Sequence, residues 1–217
     1  MAIIGKSGGG KSVLIKHLTG LMKPDSGRVL IDGVDITRLG MRELNEVRKS
    51  FGVLFQSGAL FDYMTVYENI SFPLRERLKL RESDIRPRVF EALRDVDLQG
   101  TEDKYPSELS GGMKKRAALA RAIITNPSIV FFDEPTTGLD PILKHSIHTL
   151  IKDNHARYGF TGIIVSHEIP DIFYVASSIA LLHDGVVALS GTSRDMVDSK
   201  IPEVRAFVHS NPNLVMT

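Results

Sequence analysis

The sequence predicts an α/β fold with a mainly parallel core sheet, on three observations. Two apolar runs, Ile129-Val130-Phe131-Phe132 and Gly162-Ile163-Ile164-Val165, do not alternate apolar with polar, so each reads as a strand covered on both faces. Each such run is preceded by a helical pattern, the strand–helix alternation of parallel sheets. A glycine-rich stretch, Gly5-Lys6-Ser7-Gly8-Gly9-Gly10-Lys11-Ser12, lies between the apolar Ile3-Ile4 and a segment of helical spacing.

The elements follow in order. Ile3-Ile4 is the end of a strand. Val13, Leu14, Leu18 and Leu21 give the segment after Ser12 a helical face. Phe51 to Phe55 is a strand-like run that ends at Gln56. Thr65-Val66-Tyr67-Glu68 fits a T-x-x-E capping box opening a helix, and Val89, Phe90, Leu93 and Val96 fall on one face of another. Residues 65–106 therefore read as a helical insert. Leu109-Ser110-Gly111-Gly112-Met113 opens a helix that runs through Ala117, Ala118 and Ala122. Ser178 to Ser190 reads as two strands around Asp184-Gly185, a hairpin signal. Beyond Gly191 short helices are expected, with Val204, Phe207 and Val208 as a small apolar face.

Bulk properties narrow the function. A chain of 217 residues is about one large domain and long enough to bury a core. With 42% hydrophobic and 24% charged residues the composition is that of a globular protein, and a net charge of +1 gives no bulk case for nucleic acid. Apolar runs of the roughly 20 residues that span a bilayer are missing, as is a basic-then-apolar segment ahead of the glycines. The absence of cysteine excludes disulfides and fits the cytoplasm.

The glycine stretch matches G-x-x-x-x-G-K-[ST]. Glycines let successive backbone N–H groups approach phosphate oxygens without Cβ clashes. The following helix N-terminus adds free N–H groups and a positive dipole end. Lys11 is placed to reach the outer phosphates of a nucleotide and Ser12 to bind Mg²⁺. Asp133 and Glu134 end an apolar strand, where ligands sit in open parallel sheets. Asp133 is expected to face the Mg²⁺ beside Ser12, and Glu134 to polarise an attacking water. Gln56, at another strand end, can contact Mg²⁺ and position water without adding charge. His167, following Ile163-Ile164-Val165-Ser166, can donate to a γ-phosphate. Ser110, Gly111 and Gly112 form a second helix N-terminus suited to anions. Two copies packed head to tail could set one copy's Ser110 against the nucleotide held by the other's Lys11, an isologous dimer with two composite sites.

At these residues the sequence resembles the ATPase domain of ABC transporters over essentially the whole chain. Gly5 to Ser12 is similar to Walker A, Gln56 to the Q-loop glutamine, and Leu109 to Met113 to the LSGGQ signature. Asp133 and Glu134 resemble Walker B with its catalytic glutamate, Gly138-Leu139-Asp140 the D-loop, and His167 the switch histidine. The resemblance implies a P-loop NTPase core over residues 1–64 and 107–190, a helical subdomain over 65–106 inserted between Q-loop and signature, and a C-terminal tail over 191–217. It implies ATP and Mg²⁺ as ligands, with Lys6, Ser7, Gly8, Gly9, Gly10 and Asp140 among the ATP-binding residues. It further implies a homodimer that drives a permease from the cytoplasmic face of the inner membrane. Phe55-Gln56-Ser57-Gly58-Ala59-Leu60-Phe61-Asp62, Ser71-Phe72-Pro73-Leu74 and Met113 resemble a narrower group, the ATPases of Mla/Mce-type lipid transporters. That group implies a lipid substrate, a periplasmic lipid-binding subunit, and a tail that reaches the partner ATPase.

Two departures stand out. The family carries about one further strand pair ahead of Walker A, with an aromatic that stacks on adenine. Met1 here falls inside the strand before the glycines, so that aromatic has no counterpart and the N-terminal antiparallel strands are expected to be missing, through truncation or a misassigned start. Loss of one stacking contact costs on the order of 1–3 kcal/mol. Met113 stands where the signature has glutamine, and a thioether cannot replace the amide's hydrogen bonds. The rival readings are an ABC ATPase acting on DNA or ribosomes, an importer ATPase for another substrate, and a P-loop kinase. The segment between Lys11 and Ser110 has no heptads, against the first, and a kinase has no need of Ser110-Gly111-Gly112. Lys114-Lys115-Arg116 reads as a solvated helix face without nucleic-acid contact, and His145 and His148 as solvent-exposed histidines.

Overall fold

The computed structural model describes residues 1–210. In chain order its strands and helices are β1 (Ala2–Ile4), α1 (Lys11–Leu18), β2 (Leu30–Ile31), β3 (Val34–Asp35), α2 (Met41–Arg48), β4 (Phe51–Leu54), α3 (Val66–Glu76) and α4 (Glu82–Asp95). There follow α5 (Gly111–Ile123), β5 (Ile129–Asp133), α6 (Pro141–Tyr158), β6 (Thr161–Ser166), α7 (Asp171–Val175), β7 (Ile179–His183), β8 (Val186–Gly191), α8 (Ser193–Val197) and α9 (Pro202–His209). They fall into two compact units, residues 1–51 together with those from 163 onward, and residues 52–162.

In the first unit β1 is central. It pairs in parallel with β6 (Ile3 opposite Val165) and with β7 (Ile3 opposite Ala180). A strand flanked on both edges and covered on both faces has no solvated side, and every residue of β1 is buried. β7 turns back into β8 in antiparallel pairing, with His183 opposite Val186. The turn residues Asp184 and Gly185 sit at φ 47° and 79°, the left-handed pair that a two-residue hairpin requires. α8 and α9 pack on one another, with Val204, Phe207 and Val208 buried as expected. The part of the expected tail that lies beyond residue 210 is outside the described residues. α1 stops at Leu18, one turn earlier than the apolar spacing suggests, and buries Ile15 while Val13 and Leu21 are exposed. Thr19 ends it, its hydroxyl donating back to the Ile15 carbonyl at 2.8 Å.

In the second unit β5 carries the apolar run, with Phe131 and Phe132 fully buried, and β4 is its neighbour in the sheet. α5 packs against α3, α4 and α6. Its small residues Ala117, Ala118 and Ala120 are almost wholly buried, so neighbouring backbones approach closely. The closest approach is at Gly52, where a Cβ would lie 2.2 Å from the Ala122 carbonyl oxygen. The expected capping box is present. The Thr65 hydroxyl accepts the Glu68 N–H at 3.2 Å and the Glu68 carboxylate accepts the Thr65 N–H at 2.8 Å.

Two expectations about polar residues are corrected. Lys114-Lys115-Arg116 is not a solvated face. Lys115 is 7% exposed, and Arg116 is half-buried, donating to the Val96 carbonyl, the Asp97 carboxylate and the Ser146 hydroxyl. Lys115 lies three and four residues before Ala118 and Leu119, on the apolar stripe of α5. His148 is likewise buried, because it shares the inner stripe of α6 with Ile147, Ile151 and Asn154, whereas His145 is exposed.

Candidate nucleotide site

Each unit carries some of the residues singled out in the sequence. In the first, Gly5 follows the end of β1, and residues 5–10 form the loop that becomes α1. Gly8 and Gly10 have φ of 78° and 87°, and a Cβ at either would meet nothing within 4 Å. Backbone conformation therefore demands glycine there. Gly5 answers to space, because its Cβ would fall 2.4 Å from the Leu182 carbonyl oxygen. Gly9 donates its N–H to the Lys6 carbonyl at 3.1 Å, closing a tight turn. Gly10 caps α1 without any side-chain bond, so the positive end of the helix is presented by backbone alone. The Lys11 side chain is buried and folded back over the loop, its ammonium donating to the carbonyls of Gly5 at 2.9 Å and Lys6 at 2.8 Å. These two bonds make a ring of the loop with the cation at its edge. Ser12 is the second residue of α1.

His167 leaves the end of β6 next to this loop in the strand register. Ile4 is opposite Ser166, so the residues that follow, Gly5 and His167, emerge from the same end of two paired strands. The His167 side chain is exposed, and the Ser166 hydroxyl accepts the Glu168 N–H at 3.0 Å just beyond it.

In the second unit β5 ends at Asp133, and Glu134 follows in the left-handed region at φ 47°. A non-glycine residue held there is a feature of turns and functional sites. One Glu134 carboxylate oxygen accepts the Thr137 hydroxyl at 2.9 Å and the Gln56 amide at 3.3 Å. The glutamine and the glutamate, 78 residues apart, are thus brought together. Lys115, expected on a solvated helix face, donates its ammonium to the Gln56 carbonyl. Burial lowers the Lys115 pKa, and the negative charges of Asp133 and Glu134 oppose that shift. The signal that could have found it is its position in an apolar helical stripe, where an unpaired lysine has no place.

Ser110 caps α5, its hydroxyl accepting the Met113 N–H at 3.3 Å. Asp140 caps α6 through one carboxylate oxygen, which accepts the N–H groups of Ile142 and Leu143, both at 3.0 Å. These two helix starts are neighbours. A Cβ on Gly112 would lie 3.3 Å from the Leu143 side chain and one on Gly111 3.8 Å from Leu139. Of the two, Gly112 serves close packing of α5 on the start of α6, whereas a Cβ on Gly111 would make ordinary contact. Among the described residues no group of three or more His, Cys, Asp or Glu side chains is arranged to hold a metal ion.

Comparison with known proteins identifies the family. The "ABC transporter" family matches residues 1–137. The chain is 44% identical over 207 residues to the "probable ribonucleotide transport ATP-binding protein mkl" of Mycobacterium leprae, covering 95% of this chain and 60% of that protein. It is 45% identical over 207 residues to the "intermembrane phospholipid transport system ATP-binding protein MlaF" of Haemophilus influenzae, covering 95% of this chain and 78% of that one. It thus spans well under two thirds of the mycobacterial relative and over three quarters of the other. Among solved structures, the dimeric ATP-binding cassette MJ0796 in a post-hydrolysis state with ADP and Pi superposes with a TM-score of 0.79 at 33% identity, over 88% of this chain and 84% of that one. From its loops, its strand order and these matches together, the chain belongs to the ABC transporter family.

Proposed function

We propose that this chain is the ATP-hydrolysing subunit of a transporter that moves phospholipid or another lipid across the cell envelope. The observation that carries the enzymatic part is the hydrogen bond from the Gln56 amide to the Glu134 carboxylate at a strand end. A carboxylate oriented by two donors is suited to take a proton from water, and an adjacent amide to align that water. In this reading Gly5 to Ser12 cradle the triphosphate, Lys11 swings its ammonium from the loop carbonyls to the γ-phosphate, and His167 donates to the same group. Ser110, Gly111, Gly112 and Asp140 of a second copy close over the nucleotide in a head-to-tail homodimer. The solved relative MJ0796 is dimeric with ADP and Pi bound.

Mg²⁺ fits the donors available. The Ser12 hydroxyl, the Gln56 amide oxygen and the Asp133 carboxylate are hard oxygen ligands that would hold it. Bound there it would neutralise charge on the β- and γ-phosphate oxygens.

The lipid assignment rests on the likeness to MlaF and on the segments around Gln56 and Phe72. They form one unit, in which the buried Asn69 accepts the Phe61 N–H at 2.8 Å and donates to the Phe61 and Met64 carbonyls at 3.0 Å, while the Phe61 and Phe72 rings lie 4.9 Å apart. The permease and a periplasmic lipid-binding subunit would be the partners, with this chain on the cytoplasmic face of the inner membrane. No helix among the described residues is long and apolar enough to cross a membrane. The name of the mycobacterial relative favours a second reading, the ATPase of a ribonucleotide transporter.

Glu134→Gln tests the enzymatic part. The variant should bind ATP and dimerise while turnover falls by about 10²–10⁴, the usual worth of a positioned base; near-normal turnover would refute the assignment. Reconstitution with the membrane partners separates the substrates, since phospholipid should stimulate ATP hydrolysis and ribonucleotides should not.

A further inference from the structure

We propose that Lys115 is a positioning residue for ATP hydrolysis, holding the backbone of Gln56 so that its amide faces Glu134. The inference rests on the hydrolytic role proposed above. Its geometric basis is a side chain that leaves the apolar stripe of α5 to bond one main-chain oxygen, that of Gln56, across 59 residues of sequence. The rest of this loop is held in the same manner. Arg121 donates to the carbonyls of Gly58 and Ala59, both at 2.8 Å, Asn69 binds Phe61 at both N–H and carbonyl, and Gly58 closes a turn on the Phe55 carbonyl at 2.8 Å. Lys115 supplies the constraint at the one loop residue whose side chain reaches Glu134.

An ammonium is a poor choice for that stripe on packing grounds. Burying it costs free energy unless partners compensate. Gln56 supplies the hydrogen bond, and Asp133 and Glu134 supply the opposing charge. Removing the ammonium alone leaves the Gln56 carbonyl without its donor and the charges of Asp133 and Glu134 less compensated. A role in positioning Gln56 is therefore read from turnover, apart from any change in stability.

The test compares Lys115→Met with the unaltered full chain in ATP turnover, with unfolding followed in parallel. The expectation is a kcat about tenfold lower with a KM for ATP within about twofold, measured where the variant is folded, and an unfolding midpoint lowered by the loss of one charged hydrogen bond. Lys115→Arg, which keeps a cation and its donors, should recover part of kcat. Exchange of the Gly58 amide hydrogen should quicken in Lys115→Met, because the turn it closes begins one residue before Gln56. In a Glu134→Gln background the same substitution should add little, since both act on one group. An unchanged kcat, or a loss confined to KM or to the unfolding midpoint, would overturn the proposal. Should Lys115→Met fail to fold, Lys115→Leu, which also lacks a donor, takes its place with the same expectations. If Glu134→Gln itself retains full turnover, the hydrolytic role proposed above fails; if only Lys115 proves indifferent, this inference fails alone.

Discussion

The glycines of the phosphate loop make distinguishable demands, and substitution should separate them. A Cβ on Gly5 would lie 2.4 Å from the Leu182 carbonyl oxygen, in the strand paired with β1. Ordinary contact begins near 3.4 Å, so β1 and β7 would have to part by about 1 Å at that end, enough to weaken the neighbouring ladder bonds. Overpacking of this kind costs about 1–3 kcal/mol. For a chain of this length that lowers the melting temperature by about 2–12 °C. At Gly10 space is no obstacle, and the cost is the left-handed backbone at φ 87°, about 1–2 kcal/mol for alanine. Asparagine tolerates that region better than alanine but is larger. The order of the two should therefore reverse. At position 10 Asn should destabilise less than Ala, and at position 5 Asn should destabilise more. Thermal unfolding without nucleotide, followed by circular dichroism, reads all four variants. The same order at both positions, or a Gly5→Ala protein melting within about 1 °C of the parent, would refute the separation of space from conformation.

Further expectations concern the second unit. Arg121→Ala should lower the urea midpoint by the equivalent of about 2–4 kcal/mol, since two hydrogen bonds to a charged group are lost while burial of the guanidinium is relieved. Arg121→Lys should not restore it, because one ammonium cannot span both carbonyls in the plane of the fork; full recovery would sink the bidentate reading. Tyr67 donates to the Glu82 carboxylate, and burial with that bond raises its pKa to about 12. A phenol bound more tightly to its proton when folded contributes stability that is whole below pH 10 and is lost as pH rises toward about 12. The difference in melting temperature between the parent and Tyr67→Phe should shrink across that window, and a difference independent of pH would contradict the assignment.

Much of this site was legible because phosphate chemistry ties residue types to backbone geometry at fixed spacing. A loop that must present N–H groups shows as glycines, a helix that must begin there shows as the apolar spacing after it, and carboxylates at a strand end show as an apolar run broken by Asp133-Glu134. Ends of elements were less legible. Leu21 continues the spacing of α1, yet the Thr19 hydroxyl and the left-handed Gly20 at φ 69° stop the helix first. Such competition between local hydrogen bonds and periodicity leaves no mark in a count of apolar residues.

The misread charge run shows a different limit. Three consecutive charged residues on a helix point in directions about 100° apart, so they cannot share one face. With Ala117 to Ala120 all buried, one of them had to point inward. Periodicity therefore implies that Lys114-Lys115-Arg116 contains an inward cation, and Lys115 satisfies it. What periodicity cannot supply is the partner. The Gln56 carbonyl belongs to a loop 59 residues away, and a main-chain oxygen is present at every position of every sequence. A bond to it is specified by neither residue type nor spacing, only by the path of the loop, which Arg121 and Asn69 also set. The same holds for Gln56 itself. Its amide can be recognised from the motif, but its 3.3 Å approach to Glu134 depends on three side chains that carry no chemistry of their own. Changing those side chains should therefore alter turnover without touching any residue that meets the nucleotide.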